Sequence, residues 1–178
     1  MSHVQNETVD SETARLFLAL WPDAATAGAL LAQCGKLSVA PGVYVVPPER
    51  LHLTMHFLGN VAQCRLSELI LGLRVPFLPF ELSFSRCAHW SPGLIVTTPD
   101  AVPQPMAQLH TDLSEALLRL GLHVDNREFR PHLTLARRHP GPLPAPAAPP
   151  LRWPVEGYAL VQSLTAPLRE YHIVHDYK

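Results

Sequence analysis

Two short strings in the chain carry the same three residues in the same order. They are Leu51-His52-Leu53-Thr54-Met55 and Pro131-His132-Leu133-Thr134-Leu135, each a His-Leu-Thr followed by an apolar residue. Their histidines stand 80 positions apart (52 to 132) in a chain that has ten histidines in all, so composition alone accounts poorly for two copies. An internal repeat is the better reading. Two imidazoles suit acid–base chemistry near neutral pH, one as proton acceptor and one as donor. Two threonine hydroxyls suit hydrogen bonds to the non-bridging oxygens of a phosphate.

The spacing of two between His and Thr has a structural meaning. Side chains alternate along a strand, which puts His52, Thr54 and His56 on one face and Leu51, Leu53, Met55 and Phe57 on the other. In the second copy His132, Thr134 and Ala136 oppose Leu133 and Leu135. With the apolar faces buried, each His-Thr pair is left on an open face, and two such halves about a pseudo-twofold axis converge on one cleft. Zinc on His52, His56 and His132 is the weaker reading, because no Asp, Glu or Cys accompanies them at ligand spacing. We therefore expect neither metal nor cofactor. His3, His89, His110, His123, His139, His172 and His175 read as surface or structural.

The elements that must position these residues follow from the surrounding pattern. Residues 1–14 are polar and read as a loose leader, with one domain over 15–178. Arg15–Leu20 is an apolar strand closed by Trp21-Pro22, and Asp23 caps a helix running to about Leu37. Strands are expected at 43–46, 51–58, 80–87, 94–98 and 132–136, and a closing pair at 155–164 and 171–177. Ser91-Pro92-Gly93 joins two of them. Helices are expected at about 62–74 and, from the stripe Met106, Leu109, Leu113, Leu117, Leu120, up to Gly121. Residues 140–154 hold seven of the nineteen prolines, which argues for a stiff surface connection without helix or central strand. The order of elements fits an α+β fold with antiparallel pairing.

Composition narrows the function classes. With 178 residues, 47% hydrophobic and 16% charged, the chain is long and apolar enough for one packed core. Fourteen Lys+Arg against fifteen Asp+Glu give a net charge of −1, too little for a broad grip on nucleic acid but no obstacle to a few arginines around one phosphate. No run reaches membrane-spanning length, the N-terminal residues lack signal-peptide order, and three scattered cysteines without a CxxC argue against a disulfide framework. A cytoplasmic monomer is the expectation.

At the two repeats the sequence resembles a 2H phosphoesterase, a superfamily defined by paired His-x-Thr/Ser-x motifs. More narrowly it is similar to the RNA 2′,3′-cyclic phosphodiesterases, historically called 2′-5′ RNA ligases. Arg15–Leu20 matches the family's opening strand, Leu51–Gly59 the first motif with its trailing Phe-Leu-Gly, and Phe129–Arg137 the second motif. The resemblance implies a bilobal α+β fold around a central cleft and hydrolysis of a 2′,3′-cyclic phosphate at an RNA 3′ end to a 2′-phosphomonoester. By the same carry-over His52 protonates the leaving 3′ oxygen, His132 activates water, and Thr54, Thr134 and Arg137 hold the phosphate oxygens. Related activities in the superfamily are ADP-ribose 1″,2″-cyclic phosphate hydrolysis, 2′-5′ oligonucleotide cleavage and 2′-5′ ligation; a non-catalytic RNA-end binding module is the reading from another class. The sequence departs from the family pattern at Met55-His56 and in its proline-rich insertion.

Two positions remain open at this level. Arg137 lies five residues from His132, so strict alternation puts it on the wrong face unless the strand ends or bulges near Ala136; Arg138 has the right parity and is the fallback. Phe17 shares a face with Arg15 and Ala19, either as core or as a ring for a terminal base.

Overall fold

The computed structural model describes residues 12–35, 37, 41–90, 92–141, 149–164 and 170–178. Ten strands and three helices alternate irregularly among them: β1 (Thr13–Leu20), α1 (Ala24–Gln33), β2 (Tyr44–Val45), β3 (Leu53–Ala62), α2 (Leu66–Gly72), β4 (Phe80–Phe84), β5 (Cys87–Trp90), β6 (Leu94–Thr97), α3 (Gln104–Arg119), β7 (Leu133–Arg137), β8 (Leu151–Val155), β9 (Tyr158–Ser163) and β10 (Tyr171–Tyr177). Most of the expected elements are present. Asp23 caps α1, its carboxylate accepting from the Thr26 N–H at 2.7 Å. Gly121, at φ +69°, ends α3 as the left-handed residue that the stripe required.

The strands form an α+β fold with antiparallel pairing. The main sheet runs β10-β9-β1-β3-β7-β6-β5, with β2 also on β7, while β4 and β8 make a separate ribbon. Two four-stranded halves, β10-β9-β1-β3 and β2-β7-β6-β5, meet where Leu53 pairs with Leu133. The helices cover the opposite face. Met106, Leu109, Leu113, Ala116 and Leu117 of α3 are buried, joined in one core by Leu16, Leu18, Leu20, Leu53, Leu133 and Leu135 from the strands. Burying one such side chain contributes about 1.5–3 kcal/mol, so the sheet's inner face fixes which side of each strand looks outward.

Several expectations need correction. The strand expected at 80–87 is two strands: β4 pairs with β8, and β5 forms the hairpin with β6 across Pro92-Gly93. The proline-rich stretch ends in β8, where Pro154 lies opposite Glu81 in a two-stranded ribbon, an edge position that tolerates the missing N–H; residues 142–148 of that stretch lie outside the described residues. The leader is shorter than 1–14, because Thr13 and Ala14 pair with Ala62 and Val61, and residues 1–11 lie outside the described residues. Cys34, at the C-cap of α1, meets Cys87, at the start of β5, sulfur to sulfur with their Cα atoms 5.8 Å apart, and the two are disulfide-bonded. An odd cysteine count and wide spacing argued against such a bond; sequence distance says nothing of the contact that α1 makes when it packs back. Cys64 is free and exposed. No helix among the described residues is long and apolar enough to cross a membrane.

Candidate active site

The two repeats fold alike to the level of single residues. Leu53-Thr54-Met55-His56-Phe57 and Leu133-Thr134-Leu135-Ala136-Arg137 have the same order of burial: buried, partly buried, buried, buried, exposed. Each contains the same bulge. Opposite β3, Thr54 pairs with Ala19 and His56 with Leu18, so Met55 is the extra residue. Opposite β7, Thr134 pairs with Val96 and Ala136 with Ile95, so Leu135 is the extra residue. The Leu135 carbonyl is taken up by the Val46 N–H at 2.8 Å, which satisfies the bulged backbone.

The bulge resolves the parity of Arg137. One extra residue reverses the alternation, so Arg137 returns to the face of Thr134 and lines the cleft. Arg138, in the left-handed region at φ 60°, is absent from the cleft lining. In the first repeat the same reversal brings Phe57 to the cleft and turns His56 into the core. The expectation that His56 shares a face with His52 and Thr54 is therefore wrong. His56 is 5% exposed, with Nε2 at 3.0 Å from the His110 carbonyl and 3.2 Å from Ser114 Oγ of α3. The set His52, His56 and His132 is thus not assembled, and no group of three or more His, Cys, Asp or Glu among the described residues is arranged to hold a metal ion.

His52, Thr54, His132, Thr134 and Arg137 all line one cleft of about 540 Å³ between the halves. His52 Nδ1 lies 2.8 Å from the Arg50 carbonyl, and His132 Nδ1 lies 2.8 Å from the Arg130 carbonyl. A carbonyl only accepts, so in each ring Nδ1 carries the hydrogen and Nε2 is left to take or give a proton. The correspondence extends further. The Arg50 guanidinium lies over the Tyr171 ring at 4.9 Å and that of Arg130 over Trp90 at 4.8 Å. Tyr171 in turn packs on His52 at 5.1 Å, and Trp90 on His132 at 4.7 Å.

The halves then diverge. His52 is also packed by Phe17 at 4.9 Å and stacked on Trp21 at 5.2 Å, whereas among the described residues Trp90 is the ring packed on His132. Burial among these rings holds the His52 imidazole down to about 4; the carbonyl of Arg50 opposes this, while the charges of Arg50, Arg137 and His132 add to it. Phe17 is 3% exposed and forms the floor under His52. In place of an aromatic ring, the second half offers the cation of Arg137 at the position of Phe57. The rings thus gather at the His52 end of the cleft, while its cations, Arg15, Arg50 and Arg137, come from both halves.

The histidines, the threonines and Arg137 expected from the sequence all line this cleft. The sequence reading did not single out Arg50, Arg130, Trp21, Phe57, Trp90 and Tyr171, which the structure places beside them. The arginines had a signal, since the repeat extends upstream as Arg-x-His in both copies. Trp90 and Tyr171 had none, because each arrives through tertiary folding from an outer strand of the sheet, β5 lying beyond β6 from β7 and β10 beyond β9 and β1 from β3.

This geometry has counterparts among known proteins. The family model described as 2′-5′ RNA ligase superfamily matches residues 28–167. An RNA 2′,3′-cyclic phosphodiesterase of Thermus thermophilus is 33% identical over 168 residues, covering 86% of this chain and 83% of that protein. Another from Archaeoglobus fulgidus is 32% identical over 127 residues, covering 69% of this chain and 72% of that protein. Among solved structures, Escherichia coli LigT complexed with 3′-AMP is similar with a TM-score of 0.77 at 26% identity, over 93% of this chain and 98% of that one. LigT complexed with NADP+ reaches 0.79, at 26% identity over 94% and 98%. With two bulged His-Leu-Thr strands facing one cleft and a family match over most of its length, the chain belongs to the 2′-5′ RNA ligase superfamily of 2H phosphoesterases.

Proposed function

We propose that this protein is an RNA 2′,3′-cyclic phosphodiesterase, opening a terminal 2′,3′-cyclic phosphate to a 2′-phosphomonoester with its own side chains as acid and base. The observation that carries this reading is the paired constraint on the imidazoles. Each has its Nδ1 hydrogen donated to a carbonyl two residues upstream, and each lines the cleft that also contains Thr54, Thr134 and Arg137. In the proposed step water adds to phosphorus as the bond to the 3′ oxygen breaks. His132 takes the proton of the attacking water and His52 delivers one to the departing 3′ oxygen, so protons balance over a turnover. Thr54, Thr134 and Arg137 donate to the non-bridging oxygens, whose charge is greatest in the transition state. The rings around His52 disfavour its charged form in the empty cleft, and the anionic phosphate is the group that offsets this when substrate binds.

The ring-lined end supplies a place for the nucleoside. Phe57 is 65% exposed on the cleft face, a large apolar surface that a base can cover. The names of the Thermus and Archaeoglobus relatives support the same reaction. The test offers the protein an RNA ending in a 2′,3′-cyclic phosphate, a cyclic mononucleotide, ADP-ribose 1″,2″-cyclic phosphate and a 2′-5′ dinucleotide, each with and without EDTA. Opening of the RNA terminus to a 2′-monoester, undiminished by EDTA, is the expected result. Turnover of one of the others alone moves the assignment within the superfamily, and binding without turnover makes the protein an RNA-end module.

A further inference from the structure

A second cavity of about 380 Å³ opens beside the cleft and shares Thr54, Phe57 and His132 with it. We propose that it binds the base of the nucleotide preceding the RNA terminus, so that the enzyme acts on strand ends in preference to cyclic mononucleotides. This rests on the phosphodiesterase reading of the main cleft and names the class of substrate more narrowly.

Six of its twelve lining residues carry rings: His56, Phe57, Trp90, His110, Phe129 and His132. Phe57 stands exposed between the two cavities, and Trp90 borders the second one. Beyond them three rings are stacked in a column: His56 on His110 with centroids 4.2 Å apart, and His110 on Phe129 at 4.0 Å. All three rings line the cavity, and Phe129 is the last of the column. Burial lowers the proton affinity of both histidines, that of His110 to about 4 with the neighbouring His56 adding to it, so the column is uncharged at neutral pH. A stacked base extends such a column, and base–aromatic stacking contributes about 1–3 kcal/mol per base.

The charges at the rim indicate which part of a nucleotide fits. Arg127 and Arg130 are matched there by Asp125 and Glu128, and Arg127 is paired with Asp125. A rim without net charge has no grip on a run of phosphates, whereas a base needs only a π-face. Continuity with the cleft sets the register. With the cyclic phosphate between His52 and His132, a neighbouring residue of the same strand is what reaches past Phe57.

The experiment compares 2′,3′-cyclic AMP with the dinucleotide ApA carrying the same cyclic end, on the wild-type chain and on Phe129→Leu. Leu keeps an apolar side chain at the end of the column and removes the ring. The dinucleotide is expected to have the higher kcat/KM by about tenfold, the gain lying in KM and surviving a rise in salt from 50 to 200 mM. Phe129→Leu is expected to bring the ratio near one while leaving the cyclic AMP rate unchanged. Equal kcat/KM for the two substrates in the wild type overturns the proposal, as does a parallel loss on both substrates in the variant. Should neither substrate be opened, the phosphodiesterase reading fails by itself. Binding then decides the cavity: adenosine 2′-phosphate against ApA 2′-phosphate, where a dinucleotide preference lost in Phe129→Leu supports the subsite and no preference overturns it.

Discussion

Leu53 and Leu133 lie directly opposite one another in the sheet, the central residues of the two His-Leu-Thr copies paired across the junction of the halves. Antiparallel pairing at that point places a local two-fold axis between them. Every neighbour then has its counterpart: His52 with His132, Thr54 with Thr134, the bulged Met55 with Leu135, and Phe57 with Arg137. The buried pair holds the axis, and the side chains to either side of it face the cleft. Where the counterparts differ, the cleft gains a direction.

Arg137 lines the cleft only because Leu135 is bulged. Arg137→Ala is expected to lower kcat/KM for a cyclic phosphate by about 10²-fold, the size seen when one donor to a developing oxyanion is removed. Arg138→Ala, by contrast, is expected to stay within about twofold. Steady-state kinetics on the two variants checks this, and the reverse order of effects contradicts the bulged register.

The same bulge marks what the sequence could and could not disclose. The strand periodicity located both motifs, the His-Thr face and most elements. It put His56 on the wrong face and left Arg137 ambiguous, because an extra residue in a strand is defined by the partner's register and not by the strand's own pattern. Tyr171 and Trp90 were illegible for a related reason. Each acquires its place beside a histidine only when β10 and β5 join the sheet. The upstream arginines were legible as a repeated residue type, though their work through carbonyl and guanidinium was not.

His52 is held down to about 4, chiefly by burial among Phe17, Trp21 and Tyr171. The proposed step needs one imidazole charged and one neutral, so in it the form with both charged is inactive. The profile of kcat/KM, which reports the free enzyme, is expected to fall on the acid side as pH drops through about 4. An acid limb at the ordinary imidazole value of 6.5 contradicts the effect assigned to the aromatic enclosure.

The direction of proton flow has its own test. A substrate with sulfur in place of the departing 3′ oxygen needs no proton to leave. His52→Ala is expected to recover much of its lost rate on this substrate, while His132→Ala, lacking the group that activates water, is expected to recover none. Recovery by His132→Ala alone exchanges the two roles.

Stability should also respond to pH through the buried column. His110 resists protonation to about 4 in the folded chain, while its unfolded value is near 6.5. Between these values the unfolded state binds more protons, so stability rises with pH through the window and is lost as pH falls from 6.5 toward 4. His110→Phe keeps a stacked ring and removes the titration, and the backbone carbonyl that accepts from His56 is retained. Its melting temperature is expected to fall less than that of the wild type over this window, by the equivalent of about 1 kcal/mol after allowance for the half-exposed ring. Parallel melting curves against pH contradict the assignment.

The central claim is that His52 and His132 together open a cyclic phosphate. Its most direct test follows an RNA with a 2′,3′-cyclic end by phosphorus NMR, with wild type, His52→Ala and His132→Ala, each checked for an unchanged far-UV circular dichroism spectrum. The wild type is expected to convert the cyclic resonance to that of a 2′-monoester, and each variant to be slower by about 10²–10⁴-fold. A cyclic resonance untouched by the wild type, or near-wild-type conversion by either variant, contradicts it.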